Sequence, residues 1–438
     1  MQKIKVEKMT PEGYAVITLD KTYLLPNLMM GEEAFVDVTK KGIRIEKRLS
    51  SNPDRIKAKC PIYDVCGGCQ LQHISYAKQL DLKSTLVGFY LEKESIKTEV
   101  LPVIGSNLPY NYRNKIQMVF GVNKGKIVAG FYEENTHKIV NATNCDIQDE
   151  VSNEIVNTIK LLMKKHKLMP YNEDTKEGII RHVMIKRSRK TNQVLVILVT
   201  PSNVFPGRGN LVKDLLKAHP YITSIVHNVN PKDTSFVLGD QERVLHGKGF
   251  IEDVLLNKRF QISSKTFYQV NSEQTEVLYQ KVIDFLEPKK TDIILDAYSG
   301  VGTIGIILAD YVKKVLAVEI NPDSVMSAKK NAQLNKVTNF ETIAMDAKEY
   351  IQYLTNDKKS LDAIVVDPPR AGLDKAFVDS ILQIKPKKMV YVSCNPETLA
   401  RDLRQLSGSY QIVKVQPVDM FSQTYHVETI TLLSLKTA

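Results

Sequence analysis

The sequence predicts an α/β chain in three parts: a small β barrel over residues 1–56, a mixed α+β segment over 57–262, and a doubly wound α/β domain over 263–438. Three observations carry this division. The first fifty residues alternate in short stretches broken by Pro11-Glu12-Gly13 and Met30-Gly31-Glu32. From about residue 270, short apolar runs alternate with helical patterns, which is the signature of a parallel sheet covered by helices. A length of 438 residues suits two or three domains with a sizeable core.

Taken in order, strands are expected at Lys3–Val6, Tyr14–Leu19, Ala34–Val38 and Gly42–Lys47, which suits a barrel of the OB kind. An amphipathic helix follows from about Tyr76 to Glu94, after a cysteine-bearing segment. In the middle part, Lys115–Val122, Lys126–Phe131, Gly178–Lys186 and Gln193–Val199 read as strands. The last part begins with a strand at Ile293–Ala297, a helix at Thr303–Ala309 and a strand at Lys314–Glu319. A helix follows from Pro322, a proline suited to a first turn, to Leu334. Buried strands are expected at Phe340–Met345, Ala363–Val366 and Met389–Val392, and two more at about Gln411–Val418 and Val427–Leu433. In such a sheet, ligands gather at the carboxyl ends of the strands.

Composition narrows the function classes. The opening Met1–Glu7 has no apolar signal core and no long apolar run occurs, so a cytoplasmic chain with no membrane partner is expected. The net charge of +11 is concentrated: Lys40–Lys59 holds eight basic side chains against Glu46 and Asp54. Such a segment suits a phosphate backbone and equally a solvated face.

Five cysteines are present. Cys60, Cys66 and Cys69 form a C-x5-C-x2-C cluster, Cys145 stands alone in Asn144-Cys145-Asp146, and Cys394 follows an apolar run. The odd count and absent signal argue against a disulfide framework. Four thiolates suit a metal site, zinc or iron–sulfur, with spacing alone leaving both open. Cys394 is the thiol left over, and its neighbours make it a candidate nucleophile.

The loop Asp296-Ala-Tyr-Ser-Gly300-Val-Gly302-Thr-Ile-Gly305 opens the first helix of the last part, with Glu319 ending the next strand to take ribose hydroxyls. It fits a nicotinamide dinucleotide, but Asp296 suits the amino group of S-adenosylmethionine better than a pyrophosphate. Asp367-Pro368-Pro369-Arg370 fixes a carboxylate at a strand tip, because two prolines stiffen the turn. Cys394 lies at the tip of a further strand, and Glu428, in Thr424-Tyr425-His426-Val427-Glu428, lies at the start of the last one. A thiolate and a carboxylate are what methylation at carbon 5 of a pyrimidine requires. The thiolate adds at carbon 6 to make a nucleophilic enolate, and the base later removes the C5 proton.

These segments together resemble the bacterial RNA uracil-5-methyltransferases, in particular the iron–sulfur branch acting on 23S rRNA. The likeness runs over essentially the whole chain, including Ser264-Lys-Thr-Phe-Tyr-Gln269-Val-Asn271 and the His426-Val-Glu428 ending. It implies an N-terminal TRAM domain and a class I, Rossmann-like S-adenosylmethionine-dependent methyltransferase domain, with the helix near 76–94 packed on it. It also implies a [4Fe–4S] cluster on Cys60, Cys66, Cys69 and Cys145, and cofactor contacts from Gln269, Tyr298, Glu319 and Asp367. Cys394 becomes the nucleophile, Glu428 the general base and Asp367 a substrate-positioning group. The implied partner of this monomer is 23S rRNA before or during ribosome assembly, since tRNA-specific relatives lack the TRAM domain and the cluster. A tRNA uracil-5-methyltransferase is the alternative; a Rossmann oxidoreductase and a non-catalytic RNA-binding iron–sulfur protein are further ones. One departure is Ser422, where the family usually has proline.

Overall fold

The computed structural model describes residues 1–39, 42–132, 138–142, 144–234 and 236–437, the side chain of Tyr132 excepted. It divides into two compact units, one of residues 1–109, 284–286 and 348–438, the other of 110–283 and 287–347.

In the first unit, Gln2–Lys5 pairs antiparallel with Glu33–Thr39, which pairs in turn with Gly42–Arg48. Ala15–Thr18 and Thr22–Leu25 form a separate hairpin. Alternating apolar residues point inward as period-2 patterning dictates, and Ile4, Val6, Ala15, Ile17, Leu25, Leu28, Ala34 and Val36 make one small core. The chain leaves this core through Arg55, whose guanidinium grips the fully buried Glu32 at 2.5 and 2.6 Å.

The same unit holds the helix Tyr76–Lys93 and a sheet segment ordered Ala363–Val366, Lys388–Ser393, Glu428–Leu435, Tyr410–Val418. The first two strands run parallel, Glu428–Leu435 runs antiparallel to Lys388–Ser393, and Tyr410–Val418 runs antiparallel to Glu428–Leu435. Ala363–Val366 is buried throughout, and so is Lys388–Ser393 beyond its first residue, as continuous apolar runs require. The helix Tyr76–Lys93 packs on the helix Pro396–Leu406 and the strand Tyr410–Val418.

The second unit is built on a seven-stranded sheet ordered Gln241–His246, Ile222–Val229, Val194–Thr200, His182–Arg187, Lys115–Asn123, Lys126–Tyr132, Ile139–Asn141. Helices Glu150–Lys165 and Arg208–Ala218 contribute Ile155, Ile159, Leu211 and Leu215 to its core. A hairpin of Phe250–Leu255 and Lys258–Ser263 follows. The unit also carries three parallel strands, Phe340–Ala344, Lys314–Glu319 and Ile293–Ala297, with helices Thr303–Leu308 and Pro322–Leu334 between them. Phe340–Ala344 was expected to be a buried strand, but it is only partly covered, because it is the sheet's edge.

Candidate active site

Cys394 sits on the tight turn between the strand Lys388–Ser393 and the helix Pro396–Leu406. Three neighbours shape that turn. The Ser393 hydroxyl donates to the carbonyl of Asn395 at 3.1 Å and accepts from its N–H at 3.2 Å. The Asn395 side chain accepts from the Glu397 N–H at 3.1 Å as an N-cap, and Pro396 follows where a helix needs no donor. The same Asn395 side chain donates at 3.1 Å to the carbonyl of Arg370, and Thr398 does so at 3.2 Å. The Asp367–Arg370 turn is thereby tied to the Cys394 turn.

A second tie follows at Gly372, whose φ is +78°. A Cβ there would stand 2.5 Å from Asp402 Oδ2 and 2.6 Å from Arg401 Nη2, so only glycine fits. The buried Asp402 carboxylate accepts from the Leu373 N–H at 2.7 Å and the Tyr391 hydroxyl at 2.8 Å.

Strand register brings Glu428 to the same place. Ser393 lies opposite Thr429 in an antiparallel pair, so the residue after Ser393 and the residue before Thr429 meet at one sheet end. Those residues are Cys394 and Glu428. Burial, then the Asp367 charge, pushes the Glu428 carboxyl well above the usual carboxylate range, with Arg370 opposing. Burial lifts Asp367 to about 7. Burial and the Glu428 and Asp367 charges push the Cys394 thiol up to about 11, against a hydrogen bond and a positive charge from Arg370. The resting thiol is protonated at neutral pH, and Arg370 is the group that stabilises its anion.

In the sequence Arg370 stands out as the end of the Asp367-Pro-Pro-Arg370 turn, and His426 as the start of the His426-Val-Glu428 ending. The structure pairs them at 3.0 Å, Arg370 Nη2 to His426 Nδ1. A cavity of about 190 Å³, room for a pyrimidine ring, opens beside Cys394. Arg370, Asn395, Tyr425 and His426 line it together with Glu12 and Tyr90 from the N-terminal part of this unit. Nothing in the local sequence marks Glu12 beyond its place in a Pro-x-Gly turn.

The loop 419–424 leading to Glu428 is clamped by the helix Tyr76–Lys93. Lys83 and Asp419 form a fully buried ion pair, and Lys83 also donates to the Phe421 carbonyl at 3.1 Å. The second Asp419 oxygen accepts from Tyr76 at 2.6 Å and from Ser422 at 2.5 Å. The hydroxyl at the family's proline position therefore anchors the loop by a hydrogen bond where proline would stiffen it. Gln423, held at a φ of +71°, exchanges amide hydrogen bonds with Gln79 at 3.1 and 3.2 Å. Lys83→Met should lower stability by about 3–5 kcal/mol, because it strands a buried carboxylate. The double variant Lys83→Met with Asp419→Leu should recover part of that loss. Urea midpoints of the two proteins test this, and equal losses would show that the pair is not coupled.

In the second unit the glycine loop has the backbone of a ligand cradle. Tyr298, Gly300 and Gly302 have φ of +63°, +54° and +80°. A left-handed tyrosine is strained, and such strain gathers at binding sites. A Cβ at Gly300 would meet nothing within 4 Å, so the loop leaves room above it. Glu319 accepts from the Gly300 N–H at 2.9 Å and the Asn321 N–H at 2.7 Å, which fixes its carboxylate at the loop. Asp296 stands at the start of this loop. It is buried, accepts from the Gly305 N–H at 2.9 Å, and holds the helix start.

Gln269 belongs to a segment held from the central sheet. Asn114 donates to the Gln269 carbonyl at 3.0 Å and its N–H donates to the Val270 carbonyl at 2.8 Å. The buried Lys186 ammonium donates to the carbonyls of Ser263, Ser264 and Thr266 at 2.7–2.8 Å.

Cys60, Cys66 and Cys69 lie in the first unit, on and around the single helical turn Tyr63–Cys66, which Gly67 ends at a φ of +60°. Cys145 lies in the second unit, its carbonyl accepting from Asn153 at 3.1 Å. Among the described residues, no three His, Cys, Asp or Glu side chains gather into a metal-binding group. Four thiols still suit the chemistry of an iron–sulfur cluster. Of the basic segment, Lys40 and Lys41 lie outside the described residues, and Arg44, Lys47 and Arg48 are exposed. Arg55 contributes little to that face, being almost buried against Glu32. Among the described residues no helix is long and apolar enough to cross a membrane.

Comparison with known proteins fits this geometry. The profile of the tRNA (Uracil-5-)-methyltransferase family matches residues 239–436. An uncharacterized RNA methyltransferase of Halalkalibacterium halodurans is 40% identical, over 99% of this chain and 97% of its own length. One of Bacillus cereus is 40% identical over 98% and 95%. Among solved structures, the Pyrococcus abyssi tRNA (uracil-54, C5)-methyltransferase, in complex with S-adenosyl-L-homocysteine, is 31% identical with a TM-score of 0.79. That likeness covers 99% of this chain and 100% of the other, so the chain has a Rossmann-like methyltransferase core. The chain belongs to the RNA uracil-5-methyltransferase family.

Proposed function

We propose that this enzyme methylates carbon 5 of a uridine in 23S rRNA through a covalent bond between Cys394 and carbon 6. The observation that carries the reading is the Ser393–Thr429 register, which sets a thiol and a buried carboxyl at one sheet end beside a base-sized cavity. S-adenosylmethionine supplies the electrophilic methyl group when bound, with Gln269, Tyr298, Glu319 and Asp367 as the residues that hold it. The glycine-loop cradle fits such a ligand.

The protein's own part begins with the Cys394 thiol. It loses its proton to solvent, Arg370 stabilises the thiolate, and the sulfur bonds carbon 6 while the C5–C6 π electrons move toward O4. The enolate so formed makes carbon 5 the nucleophile, and Asp367 positions the ring. Glu428 then takes the C5 proton, the C5–C6 double bond reforms and the C6–sulfur bond breaks. Burial makes ionised Glu428 a stronger base than an exposed carboxylate would be.

The domain scheme of this reading is a TRAM-type RNA-binding barrel at 1–56, a cluster domain at 57–262 and a catalytic domain at 263–438, in a monomer acting before or during ribosome assembly. The cluster is a [4Fe–4S] group on Cys60, Cys66, Cys69 and Cys145: the four thiols suit a metal site, and the resemblance to the iron–sulfur branch is what selects iron–sulfur over zinc. Anaerobically purified protein is expected to be brown, with about four iron and four sulfide per chain. Colourless protein with a single tightly held zinc would overturn the assignment.

A second reading, a uridine in tRNA, draws on the P. abyssi relative, which matches this chain along its whole length, the N-terminal part included. Mapping 5-methyluridine in a deletion strain separates the two. Loss from 23S rRNA is expected, and loss from tRNA alone would favour the second reading.

A further inference from the structure

The cavity beside Cys394 is closed in part by the N-terminal β unit. Glu12, half-buried in the turn Pro11–Gly13, lines it together with Tyr90 of the helix Tyr76–Lys93. The Tyr90 hydroxyl donates to Glu12 Oε1 at 3.0 Å, which fixes the carboxylate against the cavity. Burial, then Glu12 itself, pushes the Tyr90 phenol up to about 12, so it remains a donor at neutral pH. Among the described residues this is the one hydrogen bond Glu12 makes, and Oε2 is left over. The turn is pinned in place: Gly13 has a φ of +91° and donates its N–H to Thr10 at 3.0 Å, and the Tyr14 ring meets Tyr425 edge-on at 6.4 Å.

The other polar groups around the cavity are mostly committed. Asn395 spends its oxygen on the Glu397 N–H and its nitrogen on the Arg370 carbonyl, and Arg370 is a donor only. Among the described residues lining the cavity, Glu12 is the one carboxylate. Uracil presents an acceptor–donor–acceptor edge, O4, N3–H and O2, on the side of the ring away from the carbons that react. Arg370 can serve an oxygen of that edge, and a carboxylate suits the N–H.

We propose that Glu12 is a specificity-determining residue that accepts the N3–H of the target uracil, oriented by Tyr90. This rests on the uracil-C5 reading above and extends it: the N-terminal unit reads the base as well as carrying the exposed basic strand. A hydrogen bond to a charged group in a closed site is worth about ten- to a hundredfold in rate.

The test is a four-way comparison of single-turnover methylation of 23S rRNA carrying uridine or 3-methyluridine at the mapped target. The N3-methyl group removes the donor and adds bulk at the same atom. Wild type is expected to lose about a hundredfold or more on 3-methyluridine. Glu12→Ala is expected to lose ten- to a hundredfold on uridine, and then little more on 3-methyluridine, because the partner and the clash are both gone. Glu12→Gln, whose amide oxygen still accepts, should recover most of the uridine rate. If alanine disturbs the turn, Glu12→Asp withdraws the carboxylate by one methylene and serves the same comparison. Equal 3-methyluridine penalties in wild type and variant, or an unchanged uridine rate, would overturn the proposal. Wild type inactive on uridine would instead sink the underlying reading.

Discussion

Cys394→Ala should abolish methyl transfer, by a factor on the order of 10⁶, the loss seen when a covalent nucleophile is deleted. The variant should still bind S-adenosylmethionine, because the glycine loop and its Glu319 clamp lie in the other compact unit. The position of the thiol makes a further pH-dependent expectation. Its pKa is pushed up to about 11, so the reactive thiolate is a minor species at neutral pH. Alkylation of Cys394 by iodoacetamide should therefore rise about tenfold per pH unit until that value is neared. Arg370→Ala removes the group that favours the anion, so it should slow alkylation at pH 8. Alkylation that levels off near pH 8 would contradict the burial argument. Retained methylation by Cys394→Ala would end the covalent mechanism itself.

Glu428→Gln should behave differently on ordinary uridine. Addition at carbon 6 and methyl transfer do not need this base, whereas removal of the C5 proton does. The variant should accumulate a methylated protein–RNA adduct, visible as a band stable to denaturing electrophoresis, with turnover slower by about 10²–10⁴-fold. Stability should change little or rise, since Gln replaces a carboxyl that burial already holds above its usual range. The sign follows from the shift. A raised carboxyl favours the folded state when protonated, and that advantage fades as pH rises through the folded value. If Glu428→Gln neither traps RNA nor slows turnover, the base lies elsewhere, and Asp367, lifted to about 7, is the next candidate.

Much of this architecture is legible in the sequence because two local signals are strong. The all-apolar runs Ala363–Val366 and Met389–Val392 read as buried strands of a covered sheet; Asp367 follows the first directly, and Cys394 follows the second after Ser393. The glycines at 300 and 302 mark a loop with positive φ, and the structure puts one there. Pairings that depend on tertiary register were not legible. Nothing near Lys83 signals Asp419, and an amphipathic helix with a buried lysine reads from its sequence like any surface helix. Glu12 is likewise silent, because its role depends on a turn seated against a helix almost eighty residues away. The hydrogen bond by which the Gly305 N–H holds one oxygen of Asp296 is also silent in the sequence, because it depends on how the loop folds back on the strand end. The expected burial of Phe340–Met345 failed because period and composition do not tell a central strand from an edge.

The whole mechanism turns on a bond between Cys394 and carbon 6 of a uridine during methyl transfer. The most direct measurement is mass spectrometry of enzyme incubated with S-adenosylmethionine and 23S rRNA bearing 5-fluorouridine at the target. Fluorine replaces the proton that Glu428 would remove, so elimination stalls. The peptide containing Cys394 should carry one methylated fluorouridine nucleotide, absent in Cys394→Ala. Methyl transfer from the cofactor to ordinary uridine RNA, with no adduct on Cys394 in the fluorinated RNA, would contradict this mechanism.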